Sequence, residues 1–447
     1  MTITQEFGRY ADTFAQSALS DDVVHHAKRA VVDWYASLFP GFETTPVQRL
    51  MAVLAEDLGH GSAQLATGPW APPRTAALIH GAAAHAAEVD DSFRDAMYHP
   101  GAATIASALA SAQSAQANGL DFLRAIVLGY EVSTRIGVTL GRPHYTYWHS
   151  TGTVGTFGAA ASAGALYKLD GDAFAHALAT AATFAAALQQ AFRMDSMSKP
   201  LHAGRAAEGG LLAALAARQG MTGSLDVLEG EAGLGKAMSN GPDWSATTAT
   251  LGEVFNICRL TFKNHIGCGH TFAAVDGALA LQQQLGVKAE DIVELDIGTY
   301  RPALDIACYD RPVTDNEARF SLRYMVACAL NHGSVRLSAY TPERLADPVT
   351  RGLMARMKVS VDPAIDAAFP GRRAARIVMR TRDGRMGEYF QPDRRGDPEL
   401  PLSDDDLGDK LRELASPVIG ESKANTLLAR IWSLESAKDL RGLTIQR

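Results

Sequence analysis

HGAAAHAAEVDDSFRDAMYHPGAATIASALA, residues 80–110, decides the fold class before any other stretch is read. His80, His85, Glu88, Asp90, Asp91, Asp95 and His99 stand in a run otherwise dominated by alanine and small apolar residues. They are too many ionisable groups for a buried small-residue helix and too ordered for a solvated loop. Burying charge is costly unless it is paired, so the stretch predicts a polar pocket cut into a helical core, where acid–base chemistry would sit. Residues three or four apart share a helix face, which would line up His85, Glu88 and Asp91, with His99 arriving after a loop. His99-Pro100-Gly101 then opens a second helix whose N-terminal amides favour an anion. Helix capping and surface solvation would account for the same residues without any site.

Outward from this segment the text stays helical from residue 5 to about 255. ALSDDVVHHAKRAVVDWYASLF (18–39) has an acidic start and apolar residues at helical spacing. Further helical runs are predicted at 74–88, 101–117, 120–140, 153–167, 171–192 and 203–219, punctuated by Gly, Pro or Asp. After about residue 265 the character changes. DIVELDIGTY (291–300), MKVSVDP (357–363) and ARIVMRTRDGRMGEYF (375–390) alternate apolar and polar residues with period two, the last carrying an Asp383-Gly384 hairpin turn. NEARFSLRYMVACALNHG (316–333) between them reads as helix. The tail returns to helix with SDDDLGDKLRELAS (403–416), which opens on a Ser/Asp cap. The fold class expected is mainly α: an all-helical domain over 1–264 with 401–447, and a smaller α+β domain over 265–400.

Composition narrows the functional classes. The chain has 447 residues, 47% hydrophobic and 20% charged, the balance of a soluble enzyme. A formal charge of -7 argues against nucleic acid as a partner. The four cysteines (Cys258, Cys268, Cys308, Cys328) form no CxxC pair, so neither a disulfide framework nor a structural zinc site is expected. The opening MTITQEFGRYADTF has no signal-peptide pattern, and AFAHALATAATFAAALQQAF (173–192) reads as a buried helix, not a membrane span. A cytoplasmic location and no membrane partner are expected.

Four more segments carry possible chemistry. In YTYWHSTGTVGTFGAAASAG (145–164), Tyr147 and His149 precede a Ser-Thr-Gly-Thr run entering a small-residue helix; there is no P-loop lysine, and a simple cap is the alternative. In FRMDSMSKPLHAGRAAEGG (192–210), Lys199 precedes a proline-initiated helix bearing His202 and Arg205. That lysine suits a base or a carboxylate clamp, or is merely solvated. LTFKNHIGCGHTFAAVDGALAL (260–281) supplies Lys263, His265, Cys268 and His270 at a spacing that matches no zinc pattern, so no metal is expected. RPALDIACYDRPVTDNEARFSLRY (301–324) gathers Tyr309 and several arginines, an anion site or surface ion pairs.

Taken together and in this order, the segments resemble the MmgE/PrpD family, which includes 2-methylcitrate dehydratase, cis-aconitate decarboxylase and iminodisuccinate epimerase. The likeness spans nearly the whole chain and rests on HGxxxHxxExDD…HPG (80–101), WHSTGTxGTFGAA (148–160), KPLHAGRAA (199–207), FKxHxxCGHTxxAVD (262–276) and DRPVTDNEARFSLRY (310–324). The resemblance implies a large helical domain completed by the C-terminus, a smaller α+β lid domain and a homodimer. It implies no cofactor, and a di- or tricarboxylate substrate bound between the domains. Carried over by position, His99, His149 and Lys199 fall on the family's active-site histidines and lysine, and Glu88 on an aspartate. Phe272 stands where the family has a histidine, with His270 two residues earlier, and Tyr309 lies one residue out of register with the family's tyrosine.

The expected catalytic set is Lys199, His149, His99, Glu88, Tyr147 and His270, with His85, Arg205, His202, Lys263 and Tyr309 binding substrate. Removing a proton next to a carboxylate needs a tuned base and cations for the developing enolate. The function expected is a cofactor-independent lyase of the hydro-lyase type acting on a small polycarboxylate. An epimerase of an aminodicarboxylate and a catalytically silent scaffold or ligand-binding protein remain open.

Overall fold

Ser20 caps the helix Asp21–Phe42 by accepting the amide of Val23 at 3.3 Å, and Asp21 and Asp22 sit against the positive end of its dipole. From Ala27 onward the helix is buried on every side, so its alanines and aromatics lie at the centre of a helical core. The structure is a computed structural model that describes residues 1–192, 196–369 and 371–446. Two compact units divide the chain, Met1–Thr261 with Ser403–Arg447, and Phe262–Leu402.

The first unit consists mainly of helices. Pro73–Ala86, Pro100–Ala115 and Lys199–Arg218 each carry proline in their first turn, where the missing N–H costs nothing. Together with Gly119–Tyr145 and Ser150–Leu166 they pack against one another. Small residues set how closely they approach. A Cβ on Gly204 would lie 2.5 Å from the carbonyl oxygen of Leu78, and one on Gly210 would lie 2.4 Å from that of Thr156. Backbone therefore meets backbone where Lys199–Arg218 crosses Pro73–Ala86 and Ser150–Leu166. This draws together the helix ends that bear His85, His149 and Lys199. The helix Asp404–Ile419, opened by a Ser403 capping box, returns to pack on Asp21–Phe42.

The second unit holds a four-stranded sheet in the order Met357–Val361, Ile292–Thr299, Ala375–Thr381, Met386–Gln391. The first pair is parallel and the others antiparallel, with Ile297 opposite both Val359 and Ile377. Leu295, Ile297, Ile377 and Met379 are buried, and the helix Phe272–Leu285 packs on the last two strands. Gly384 takes φ 86° in the expected Asp-Gly turn, a conformation that suits glycine.

The helical half is not strictly all-helical: Ala63–Gln64 and Trp70–Ala71 form a short antiparallel pair. The run expected as one helix over 171–192 ends at Ala181, with short 3-10 turns at Ala182–Phe184 and Gln189–Phe192. The reason is tertiary, since the Ala187 carbonyl accepts the amide of His149 at 3.0 Å and Trp148 bridges to Leu188. Alanine propensity is a weak prior against such bonds. The predicted helix 316–333 is likewise split at Phe320–Ser321. Ser321 caps a new helix, Leu322–His332, while the Arg319 carbonyl accepts the amide of Cys268 at 2.9 Å. Among the described residues no helix is long and apolar enough to cross a membrane.

Candidate active site

The helix Pro73–Ala86 ends two residues before Glu88, which adopts φ 60°. A non-glycine residue in this left-handed region is strained and persists only where its surroundings hold it, often at functional sites. The chain that follows is ordered: Ser92 and Thr261 exchange backbone hydrogen bonds of 2.9 and 2.8 Å, and Phe93 donates to the Tyr98 carbonyl at 2.7 Å. Glu88 is turned toward Lys199, the first residue of its helix, and the two form an ion pair. The ammonium also lies 5.1 Å from the centre of the Phe192 ring, a cation–π contact.

Histidines fill the other side of this pair. His85 is buried and shares a 2.8 Å hydrogen bond between Nδ1 and Asp90 Oδ2. Its Nε2 is buried with no hydrogen-bond partner among the described residues. Its ring stacks on His149 at 5.4 Å and meets the edge of His99 at 5.0 Å. His99 donates from Nδ1 to the Asp91 carbonyl at 2.7 Å, with Asp90 Oδ2 3.4 Å from the same nitrogen. A carbonyl only accepts, so the proton of neutral His99 is fixed on Nδ1 and Nε2 is the basic nitrogen. His149, the N-cap of Ser150–Leu166, shares a 3.0 Å Nδ1–Nδ1 hydrogen bond with His202.

The electrostatics follow from burial and neighbouring positive groups. Burial holds His149 well below the ordinary histidine range, and His85, Lys199, His99 and His202 push it further down. Burial first, then His85 and Lys199, lowers His202 to about 4. Both are neutral near pH 7. Asp91 lies behind the cluster, accepting from Tyr130 Oη at 2.8 Å and the Gly101 amide at 3.0 Å. Burial, with Asp33 and Asp90 nearby, raises its carboxyl to about 8 against the pull of those hydrogen bonds.

His85, Glu88, His99, His149, Lys199 and His202 are thus gathered in one place, from segments more than a hundred residues apart. Within the same unit, Tyr147 and Arg205 are directed elsewhere. The Tyr147 ring is 71% exposed. Arg205 points to an ion pair with Glu208, whose other oxygen accepts from Arg74 at 2.6 Å. Lys263, His270 and Tyr309 belong to the second unit. There Lys263 is buried and Tyr309 is 41% exposed. His270 Nδ1 lies 2.9 Å from the hydroxyl of Tyr300, and burial, aided by Arg373 and Arg394, lowers it to about 3. Phe272 packs edge-on against His265, whose Nε2 is 2.8 Å from Asp276.

The sequence reading assigned no role to Phe192, Tyr130, Asp33 or Lys410, named His265 in a possible cluster without a task, and treated Asp276 only as a motif letter. Lys410 carried a signal: it sits on the apolar stripe of Leu407, Leu411 and Leu414, where a charge requires a buried partner. His85, Asp90 and His99 bring potential metal donors within 4.8 Å of one another. A cation there would have to displace the hydrogen bonds on Nδ1 of both histidines. A second, more exposed group of donors is Asp22, His26 and Cys258.

Chemically, the arrangement offers one ammonium, four imidazoles and two carboxylates at the meeting point of helix ends. It can hold an anion and move a proton beside it. Sequence comparison matches residues 5–247 to the MmgE/PrpD N-terminal domain and residues 265–435 to the MmgE/PrpD C-terminal domain. Cis-aconitate decarboxylase of Homo sapiens is 27% identical over 459 residues, covering 99% of this chain and 94% of that protein. The Mus musculus enzyme of that name is 26% identical over 466 residues, with 99% and 93% covered. That of Aspergillus terreus is 23% identical over 469 residues, with 99% and 95% covered.

Proposed function

The chain belongs to the MmgE/PrpD family, and from that premise we propose that it is a lyase acting on a small di- or tricarboxylate at the Lys199–Glu88–histidine cluster. The observation that carries the reading is the Lys199 ammonium paired with Glu88 beside His149 and His202, which are neutral near pH 7. The decarboxylase names of its relatives, matched over 99% of this chain, favour loss of carbon dioxide over the loss of water expected from the sequence and its family resemblance. The substrate class is then an unsaturated tricarboxylate such as cis-aconitate.

Each residue has a task in this reading. A substrate carboxylate takes the place of Glu88 on the Lys199 ammonium, a charge-assisted contact. Of the neutral His149–His202 pair, the ring that accepts the shared Nδ1 hydrogen bond carries its proton on Nε2 and donates it to a carboxylate oxygen. When the carbon–carbon bond to the departing carboxyl breaks, its electron pair shifts into the conjugated system and must be met by a proton on carbon. We assign that proton to His99 in its protonated form: Nδ1 keeps its hydrogen bond to the Asp91 carbonyl, while Nε2 gives its proton to carbon and regains one from solvent. Lys199 also offsets the negative charge that develops on the neighbouring carboxylate. A homodimer is part of this proposal on the family's pattern.

The test is incubation with cis-aconitate, 2-methylcitrate and an iminodisuccinate in deuterium oxide, followed by NMR. A decarboxylated product carrying one carbon-bound deuterium supports the reading. Alkene formed from the hydroxy acid points to a hydro-lyase, and exchange with inversion and no alkene to an epimerase. The absence of turnover and exchange with every acid would leave a silent scaffold and overturn the proposal.

A further inference from the structure

Between Glu88 and Asp90 lies a buried carbonyl held by a lysine from the far end of the chain. Lys410, on the Asp404–Ile419 helix, is 1% exposed. It donates to Asp33 Oδ1 at 2.5 Å and to the Val89 carbonyl at 2.7 Å. Asp33 is fully buried on the Asp21–Phe42 helix, and Val89 is fully buried too. A buried ion pair is weak evidence for stability, because well-packed apolar residues in its place are often neutral or stabilising. What apolar residues cannot supply is a donor to Val89. The neighbouring turn needs one: Glu88 is held in the left-handed region, and a buried carbonyl without a donor is costly.

We propose that Lys410 is a positioning residue of the active site: its ammonium, oriented by Asp33, clamps the Val89 carbonyl and so fixes Glu88 against Lys199 and Asp90 against His85 and His99. The inference rests on the reading that this cluster is where substrate reacts. It explains why the C-terminal segment returns to the first unit after the intervening sheet unit: that segment delivers the cation that sets the turn. It also separates two kinds of lysine, with Lys199 meeting substrate and Lys410 acting only through the backbone.

The test uses the double variant Asp33→Asn/Lys410→Met, which removes the donor without stranding a buried charge. Lys410→Met alone removes the ammonium paired with the buried Asp33 carboxylate, so the double variant is the cleaner test. The double variant is expected to keep its thermal midpoint within a few degrees of wild type and its KM within about threefold. Its kcat is expected to fall at least about tenfold, since small misplacements of reacting groups cost this much or more. Loss of stability alone would not produce that split between KM and kcat in the folded protein. A kcat within twofold of wild type overturns the proposal. Hydrogen exchange gives a readout independent of turnover. The amides of residues 88–91 should exchange at least about tenfold faster in the variant, while those of Ser150–Leu166 stay unchanged. If wild type turns over none of the acids, the functional reading fails while the exchange measurement still judges the clamp; unchanged protection at 88–91 overturns it.

Discussion

Replacing Lys199 by methionine removes the one ammonium in the cluster and keeps most of the side chain's length. Its contribution follows from its setting: the lysine is largely buried at a helix start, paired with Glu88 and stacked over Phe192. A substrate carboxylate that replaces Glu88 would make a charged hydrogen bond, worth roughly 1.5–3 kcal/mol, so kcat/KM should fall roughly 10- to 150-fold. A second consequence has a defined sign. Lys199 is among the groups that push His149 and His202 down, behind burial and His85. With one cation fewer, protonation becomes easier and both histidines titrate at higher pH. Steady-state kinetics on the preferred acid and an NMR titration of the histidine ring protons read the two effects separately. A kcat/KM within threefold of wild type, or a His202 titration that does not move, would refute the placement of Lys199 at the centre of the site.

Other expectations follow from the same physics. Asp91, raised to about 8 from the ordinary aspartate value, favours the native state most at low pH and loses that contribution as pH climbs through about 8. Asp91→Asn, compared with wild type by denaturant unfolding, should therefore gain relative stability between about pH 4 and pH 8; no change in the gap contradicts the raised carboxyl. His80 is fully buried and lowered by burial to about 3, so its contribution is intact above the unfolded value and is lost as pH falls from about 6.5 toward 3. His80→Gln should flatten the acid limb of the stability curve by up to roughly 1.4 kcal/mol per pH unit, and an unchanged slope would count against it. Gly210→Ala places a methyl 2.4 Å from the Thr156 carbonyl oxygen, so the two helices must part at a cost of roughly 1–3 kcal/mol in chemical denaturation. A fully stable variant would mean that the close crossing does not govern this core.

The sequence was most readable where pattern and environment agree. Period-two alternation located Ile292–Thr299, Met357–Val361 and the Ala375–Thr381/Met386–Gln391 hairpin, and Asp383-Gly384 announced the turn. Ionisable groups stand out in alanine-rich helices, which is why His85, Glu88, His99, His149, Lys199 and His202 were singled out before their contacts were known. What stayed hidden depends on partners distant in sequence. The break after Ala181 follows from a hydrogen bond between Ala187 and His149 that no local pattern encodes. Arg205 looked like a neighbour of Lys199 in the text, yet its ion pair with Glu208 directs it elsewhere. Lys410 and Asp33 are separated by 377 positions, and only the misfit of a lysine on a leucine stripe hints at their pairing. Glu88 shows the same limit differently, for its left-handed backbone comes from contacts around the turn and not from its own preference.

The central claim is that a polycarboxylate sits at the cluster of Lys199, His149, His99 and His202. The most direct measurement is the NMR shift of the histidine ring protons on titration with tricarballylate, a saturated tricarboxylate that lacks the double bond needed for reaction. The account predicts saturable shifts for His99, His149 and His202, no shift for the exposed His60, and loss of the response in Lys199→Met. Tricarballylate that leaves these rings unmoved, or that binds Lys199→Met as tightly as wild type, would contradict it.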